Sequence, residues 1–132
     1  MFQLIFDEYS QAELKQWIEE RTGNKYQRDK YLGIAKDGNI TACCGYECFG
    51  SIIFAHIAVT AQIPKSFLQV IFDYPFNQAG ADKVIALIDK DNEKASRLVE
   101  HMGFRLVEQD KIKLYEMNKS ECKWLNAVMR RG

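Results

Sequence analysis

Apolar residues recur along the chain in two periods, and the switches between them outline the elements. Gln3 to Phe6 is a short apolar run of strand character. Ser10 and Glu13 then have the S-x-x-E spacing of a capping box, and Leu14, Trp17, Ile18 and Arg21 follow at helical spacing with Lys15, Glu19 and Glu20 opposite. A helix is predicted from Ser10 to a stop at Gly23-Asn24. Tyr31 to Ala35 and Ile40 to Cys44 read as strands joined across the hairpin signal Asp37-Gly38. Gly45 and Gly50 bracket Tyr46 to Phe49 as a predicted turn or bulge, and Ser51 to Thr60 is β-branched enough for a long central strand.

Pro64 stands where a first helical residue tolerates a missing N–H, with Phe67, Leu68, Ile71 and Phe72 forming one apolar side of the next helix. Pro75 is expected to kink or end it near Asp73, and Gly80 to close the segment. Lys83 to Ile88 is a nearly continuous apolar strand, as expected for burial on both faces and parallel pairing after a crossover. Ala95, Leu98, Val99 and Met102 recur at i, i+3, i+4 and i+7 before Gly103, which predicts a helix over Asn92 to Met102. Phe104 to Glu108 and Ile112 to Met117 pair as a terminal hairpin, and a tail helix follows from about Ser120, with Trp124, Leu125 and Val128 on one side. The order predicts a single α/β domain over residues 1–132. Its mixed sheet has an antiparallel meander and one parallel step made by a right-handed crossover.

Charge narrows the function classes. Eighteen basic and eighteen acidic residues cancel, so no global field draws the chain to nucleic acid or to an anionic membrane. The exception is local: Arg21, Lys25, Arg28, Lys30 and Lys36 face Asp29 alone, with Tyr26 and Tyr31 interleaved. The longest apolar runs are about half the roughly 20 residues of a membrane span, and the start lacks a basic n-region and a cleavage site, so a cytoplasmic location is expected. Cys43, Cys44, Cys48 and Cys122 have the wrong spacing for paired metal hooks. Adjacent Cys43 and Cys44 would point to opposite faces of a strand, and reduced thiols serving as small apolar residues are expected, with no metal.

The segment N92-E-K-A-S-R-L-V-E-H-M-G-F104, in this order of elements, resembles the GCN5-related N-acetyltransferases, whose fourth helix typically opens with Asn, has Ala three residues later and closes in Gly-Phe. Residues V70-I-F-D-Y-P-F-N-Q-A-G80 are similar to the third helix of small bacterial and phage members. The resemblance covers Phe2 to about Met117. It implies a central mixed sheet of about six or seven strands flanked by about four or five helices. It also implies acetyl-coenzyme A held where the fourth and fifth strands splay apart, and a primary amine as acceptor. By position, Ile57, Ala58 and Val59 would offer backbone groups to the pantetheine amides, and the helix start at Pro64, with Lys65 and Ser66, would meet the pyrophosphate. Asn92 is the position expected to bond the cofactor arm, with helix capping as its plain alternative, and Arg97 meets a phosphate or faces solvent.

Two departures stand out. The family's glycine-bearing phosphate loop is replaced by the glycine-free Q62-I-P-K-S-F67, and the helix position that often carries an acid Tyr holds Val99. Both favour an alternative from another class, a fold relative that no longer catalyses and serves as a binding or assembly module. For the base, His56 interrupts the apolar Ile53 to Val59 strand beside the expected cleft, against the alternative of a hydrogen-bonded core histidine. Glu47 is a second candidate, or a solvated turn carboxylate. Tyr26, Tyr31 and Tyr115 are unranked as acids, and His101 is explained by its place at a helix C-terminus. The basic Arg21 to Lys36 stretch hints at an acidic acceptor, and the oligomeric state, a homodimer included, is open.

Overall fold

Among the described residues, 2–26 and 30–125 of a computed structural model, seven strands form one sheet. They are β1 (Phe2–Ile5), β2 (Lys30–Lys36), β3 (Asn39–Phe49), β4 (Ile52–Val59), β5 (Lys83–Asp89), β6 (Arg105–Gln109) and β7 (Ile112–Asn118), in the spatial order β1-β2-β3-β4-β5-β7-β6. All neighbours are antiparallel except β4 and β5, so the expected mixed sheet and its parallel step are present. The α-helices lying wholly within the described residues are α1 (Gln11–Thr22), α2 (Lys65–Asp73) and α3 (Glu93–Met102).

The two faces carry separate cores. Leu14 and Ile18 of α1 pack with Tyr26, Tyr31 and Cys43, whereas α2 and α3 close the larger core that includes Cys44, Tyr46, Ile53, Val84, Val99, Tyr115 and Met117. Cys43 and Cys44 thus go to opposite faces, as the period of a strand requires, and burial pushes the Cys43 thiol well up. The Asp37-Gly38 turn has φ of 53° and 87°, the doubly positive pair of a type I′ hairpin. Gly103, at φ 107°, ends α3: its N–H and that of Phe104 both bond the Val99 carbonyl.

Two expectations fail locally and a third is displaced. Ser10 forms no side-chain cap on α1, because its hydroxyl bonds the Asp7 carboxylate, which caps a preceding 3-10 turn. Residues 46–49 are not a turn: β3 continues to Phe49, because Tyr46 is buried, pairs with Ala55 and donates its hydroxyl to the Ile71 carbonyl at 2.6 Å. Tertiary burial outweighs the flanking glycines there. The tail begins with a 3-10 turn at Lys119–Glu121, and the expected helix opens at Lys123 rather than at Ser120. Trp124 and Leu125 then reach the larger core, and residues 126–132, including Val128, lie outside those described. Pro75 ends α2 as expected, at Asp73, and the chain passes into a π turn over Tyr74–Gln78 closed by Ala79 N–H to the Tyr74 carbonyl.

Candidate active site

The parallel pairing of β4 with β5 covers only Ile52–Lys83, Ile53–Val84 and Phe54–Ile85. Beyond it β4 runs on through residues 55–59 and β5 through 86–89, each still paired on its outer side, to β3 and to β7. The sheet is therefore open at its centre, in a V whose apex lies just past Phe54 and Ile85. Buried backbone polar groups are nearly always paired, so an interior strand edge left open points to a ligand that pairs with it.

Which groups line that edge follows from alternation. Thr60 N–H bonds the Thr41 carbonyl on the β3 side, and the Ser51 carbonyl accepts from Asp82 on the β5 side. Odd-numbered residues of β4 therefore turn their N–H and C=O toward β5, and Ala55, Ile57 and Val59 present theirs to the V. Ala58 is a correction to the sequence reading: its backbone groups turn to β3, where it pairs with Cys43.

Both strands run toward the open end of the V, and each is followed by a helix start. α2 opens at Pro64, whose carbonyl takes the N–H of Phe67 at 3.0 Å, so the Lys65 and Ser66 amides precede the first intrahelical bond and carry the positive end of the dipole. Lys65 and Ser66 are exposed there. The turn before them has no glycine, and Pro64 supplies no N–H. On the β5 side, Asn92 caps α3 by accepting the Ala95 N–H on Oδ1 at 3.1 Å, so the capping alternative is realised, leaving Nδ2 for other partners. Arg97 lies on the solvent side of α3 and pairs with Glu93 at 3.6 Å.

His56 and Glu47, read separately from the sequence, come together on the α1 side of the sheet. His56 sits opposite Gly45 and Glu47 opposite Phe54, so the two are diagonal neighbours, with Nε2 2.5 Å from Glu47 Oε1. Gly45 offers no side chain between them. Tyr26 lies against the imidazole, centroids 4.5 Å apart, and its hydroxyl bonds Thr22. A carboxylate only accepts, so Nε2 is assigned the proton, and Nδ1 of the neutral imidazole keeps the lone pair. The pair and the cleft share the strand β4.

The other candidates are placed elsewhere. Tyr31 belongs to the α1 core, and Tyr115 is fully buried, its hydroxyl 2.5 Å from Glu100 on α3 and its acidity weakened by burial. Tyr46, which the sequence reading gave no part, stands near the V but bonds the Ile71 carbonyl, and burial raises its pKa further. Val99 is buried beneath the apex. His101 ends α3 as expected, with its carbonyl accepting from Lys123. In the basic stretch, Arg21 stacks on Trp17, Lys25 meets Glu19, Lys30 bonds the Phe6 carbonyl and Lys36 lies over Phe2, while Arg28 is outside the described residues. No cluster of metal-ligating side chains occurs among the described residues.

No family model and no curated protein matches the sequence. Solved structures do match in fold. The N-acetyltransferase PseH of Campylobacter jejuni, in complex with acetyl coenzyme A, superposes with a TM-score of 0.66 at 14% identity, over 90% of this chain and 99% of that one. Mutant forms of the spermidine/spermine N-acetyltransferase SpeG of Vibrio cholerae give 0.68 at 14% identity, over 96% and 99%. The ribosomal-protein-S18-alanine N-acetyltransferase of Escherichia coli gives 0.66 at 14%, over 89% and 94%. An acetyltransferase of the GNAT family from Streptococcus pneumoniae gives 0.68 at 11%, over 89% and 99%. The chain has the fold of the GCN5-related N-acetyltransferases, as the helix segment 92–104 led us to expect.

Proposed function

We propose that this chain, built on the acetyltransferase fold, moves an acetyl group from acetyl-coenzyme A to a primary amine. The observation that carries the reading is the open V between β4 and β5, which leaves backbone groups of a central strand facing a gap with helix starts beyond both arms. The fit is chemical as well as geometric. An extended arm with amides pairs with the edge at Ile57 and Val59 as an added strand would. A pyrophosphate meets the Lys65 and Ser66 amides and the Lys65 ammonium, and Asn92 Nδ2 donates from the opposite arm.

Acetyl-coenzyme A supplies an activated acyl carbon as a thioester. The acceptor amine must arrive neutral. His56 Nδ1 takes its proton, directly or through one water, while Glu47 holds Nε2–H and so fixes the ring and its tautomer. Glu47 is thus a positioning residue, and Tyr26 limits the ring from its other side. The amine nitrogen bonds the acyl carbon, the carbon–sulfur bond breaks, and the thiolate takes a proton from solvent, since Val99 has none to give. The acceptor approaches on the α1 side, where His56 and Glu47 stand. A carboxylate there favours an acceptor that is cationic before it loses its proton, a class to which polyamines and protein N-termini belong.

The test combines binding and turnover. Calorimetric titration with acetyl-coenzyme A should show one site. Thiol release with a panel of primary amines, spermidine and an alanine-terminated peptide among them, should exceed hydrolysis for at least one. Absence of heat and of any thermal shift at millimolar cofactor overturns the reading. Binding without turnover on any amine favours the non-catalytic module, which the glycine-free turn at 62–67 and Val99 support.

A further inference from the structure

Beneath the apex of the V lies a cavity of about 20 Å³, bounded by Cys44 of β3, Ala55 and Ile57 of β4, Ala86 of β5, and Val99 and Met102 of α3. A site for a single water needs roughly 10–15 Å³, so the void is large enough to take a small group and far smaller than a ligand pocket. Its wall is apolar. The nearest hydroxyl, that of Tyr46, is already bonded to the Ile71 carbonyl, and a water would lack the two to four polar partners it needs. A dry void forfeits dispersion contacts along its whole lining, so a small apolar group entering it gains them back.

The position gives the void a meaning. Phe54 and Ile85 are the last residues paired across β4 and β5, and Ala55 and Ala86 are the first beyond them on each strand. Two alanines therefore flank the apex where an extended ligand in the V must end. Val99 and Met102 form the floor from α3, and Ile57, whose backbone faces the V, forms one wall with its side chain. The void thus lies against the end of the cleft, sharing Ala55, Ile57 and Ala86 with it, rather than being a defect remote from it.

We propose that this cavity receives the alkyl end of the transferred acyl group and makes a three-carbon acyl chain, propionyl, the preferred group over acetyl. The inference rests on the reading that coenzyme A thioesters bind in the V. The reaction is otherwise that already described: the acyl carbon–sulfur bond breaks, the carbon–nitrogen bond forms, and no further reactant is needed. One more methylene buried in a preformed apolar space favours binding about fourfold, the factor that about 0.8 kcal/mol per methylene converts to. A five-carbon branched chain exceeds the space and loses that gain.

The test is calorimetry on the full chain with free coenzyme A and its acetyl, propionyl and isovaleryl thioesters. Propionyl-coenzyme A should bind about fourfold tighter than acetyl-coenzyme A, and the isovaleryl thioester more weakly than the propionyl one. Val99→Leu, which fills the floor, should bring acetyl and propionyl thioesters to equal affinity. Ala86→Val should do the same from the opposite wall, and stands in where the first variant does not fold. Equal or tighter binding of the acetyl thioester by the unaltered chain overturns the acyl pocket, as does a propionyl preference that survives both substitutions. If free coenzyme A and all thioesters fail to bind, it is the reading of the V that fails. Binding of free coenzyme A with no acyl preference refutes the pocket alone.

Discussion

Replacing His56 by Ala separates a catalytic from a structural role, because the two predict losses of different kinds. The structural part can be worked from the contacts. The imidazole lies against Tyr26 at 4.5 Å between centroids, a contact worth about 0.5–1.5 kcal/mol beyond its area. The bond to Glu47 is charge-assisted, but the two side chains are 19% and 32% exposed, so Glu47 regains water once the ring is gone. Together these give about 1–3 kcal/mol, which in a 132-residue domain lowers Tm by about 4–10 °C. The catalytic part is larger: loss of a general base lowers turnover by roughly a hundredfold or more. Coenzyme A affinity should stay within a few fold, since the V is built from backbone and from α2 and α3 starts. Thermal denaturation, calorimetry and thiol release on one preparation measure all three. Glu47→Gln keeps a hydrogen-bond partner for Nε2 but not its charge, and is expected to slow turnover by about tenfold with little change in Tm. A folded His56→Ala variant with undiminished turnover per molecule would refute the assignment and leave His56 as a core residue.

Further outcomes follow from the other sites. Lys65→Glu should weaken coenzyme A binding, and by more at low salt than at high, because the lysine and the α2 amides act on the same anion; equal affinity at low ionic strength would place the phosphates elsewhere. Arg105 bonds both Glu116 and Glu121 and holds the Glu121 carboxyl down to about 2, from an ordinary 4.5. A lowered acid pKa stabilises the fold above the ordinary value and ceases to as pH falls through the folded one. The Tm difference between the protein and its Arg105→Ala variant should thus be largest above about pH 4.5 and fade toward about pH 2, and a constant difference would be contrary. Cys48 is exposed whereas Cys43, Cys44 and Cys122 are buried, with the Cys43 and Cys122 thiols pushed up by burial. A thiol reagent should label the native chain once and the denatured chain four times, and rapid native labelling of more than one site would contradict the packing.

Much of the fold was legible in the chain, where local chemistry and tertiary demand agree. The Asp37-Gly38 hairpin, the helix ending in Gly103 and the apolar strand at Lys83 to Ile88 follow from backbone freedom and from hydrophobic period, although burial on both faces holds only for Val84 to Ala86 and Leu87 is exposed. The misreadings fall where they disagree. Glycines at 45 and 50 signalled a turn, yet Tyr46 is held in β3 by a hydrogen bond from its hydroxyl to a helix carbonyl 25 residues away, which no local window contains. Ser10 had the spacing of a cap, but Asp7, three residues earlier, took its hydroxyl.

The site divides in the same way. Residue types alone marked His56 as an anomaly in an apolar strand and the α2 start as an anion site, since a lone polar group in such a run and a helix N-terminus have those meanings wherever they occur. That His56 and Glu47 form one unit depends on the β3–β4 register, because a slip of one residue would turn them to opposite faces. That Ile57 and Val59, but not Ala58, offer backbone to the V depends on which edge each peptide meets, and the parting of β4 from β5 is a property of two strands 24 residues apart. Sequence fixes what each side chain can do; pairing and register, set by burial across the whole sheet, decide which of them act together.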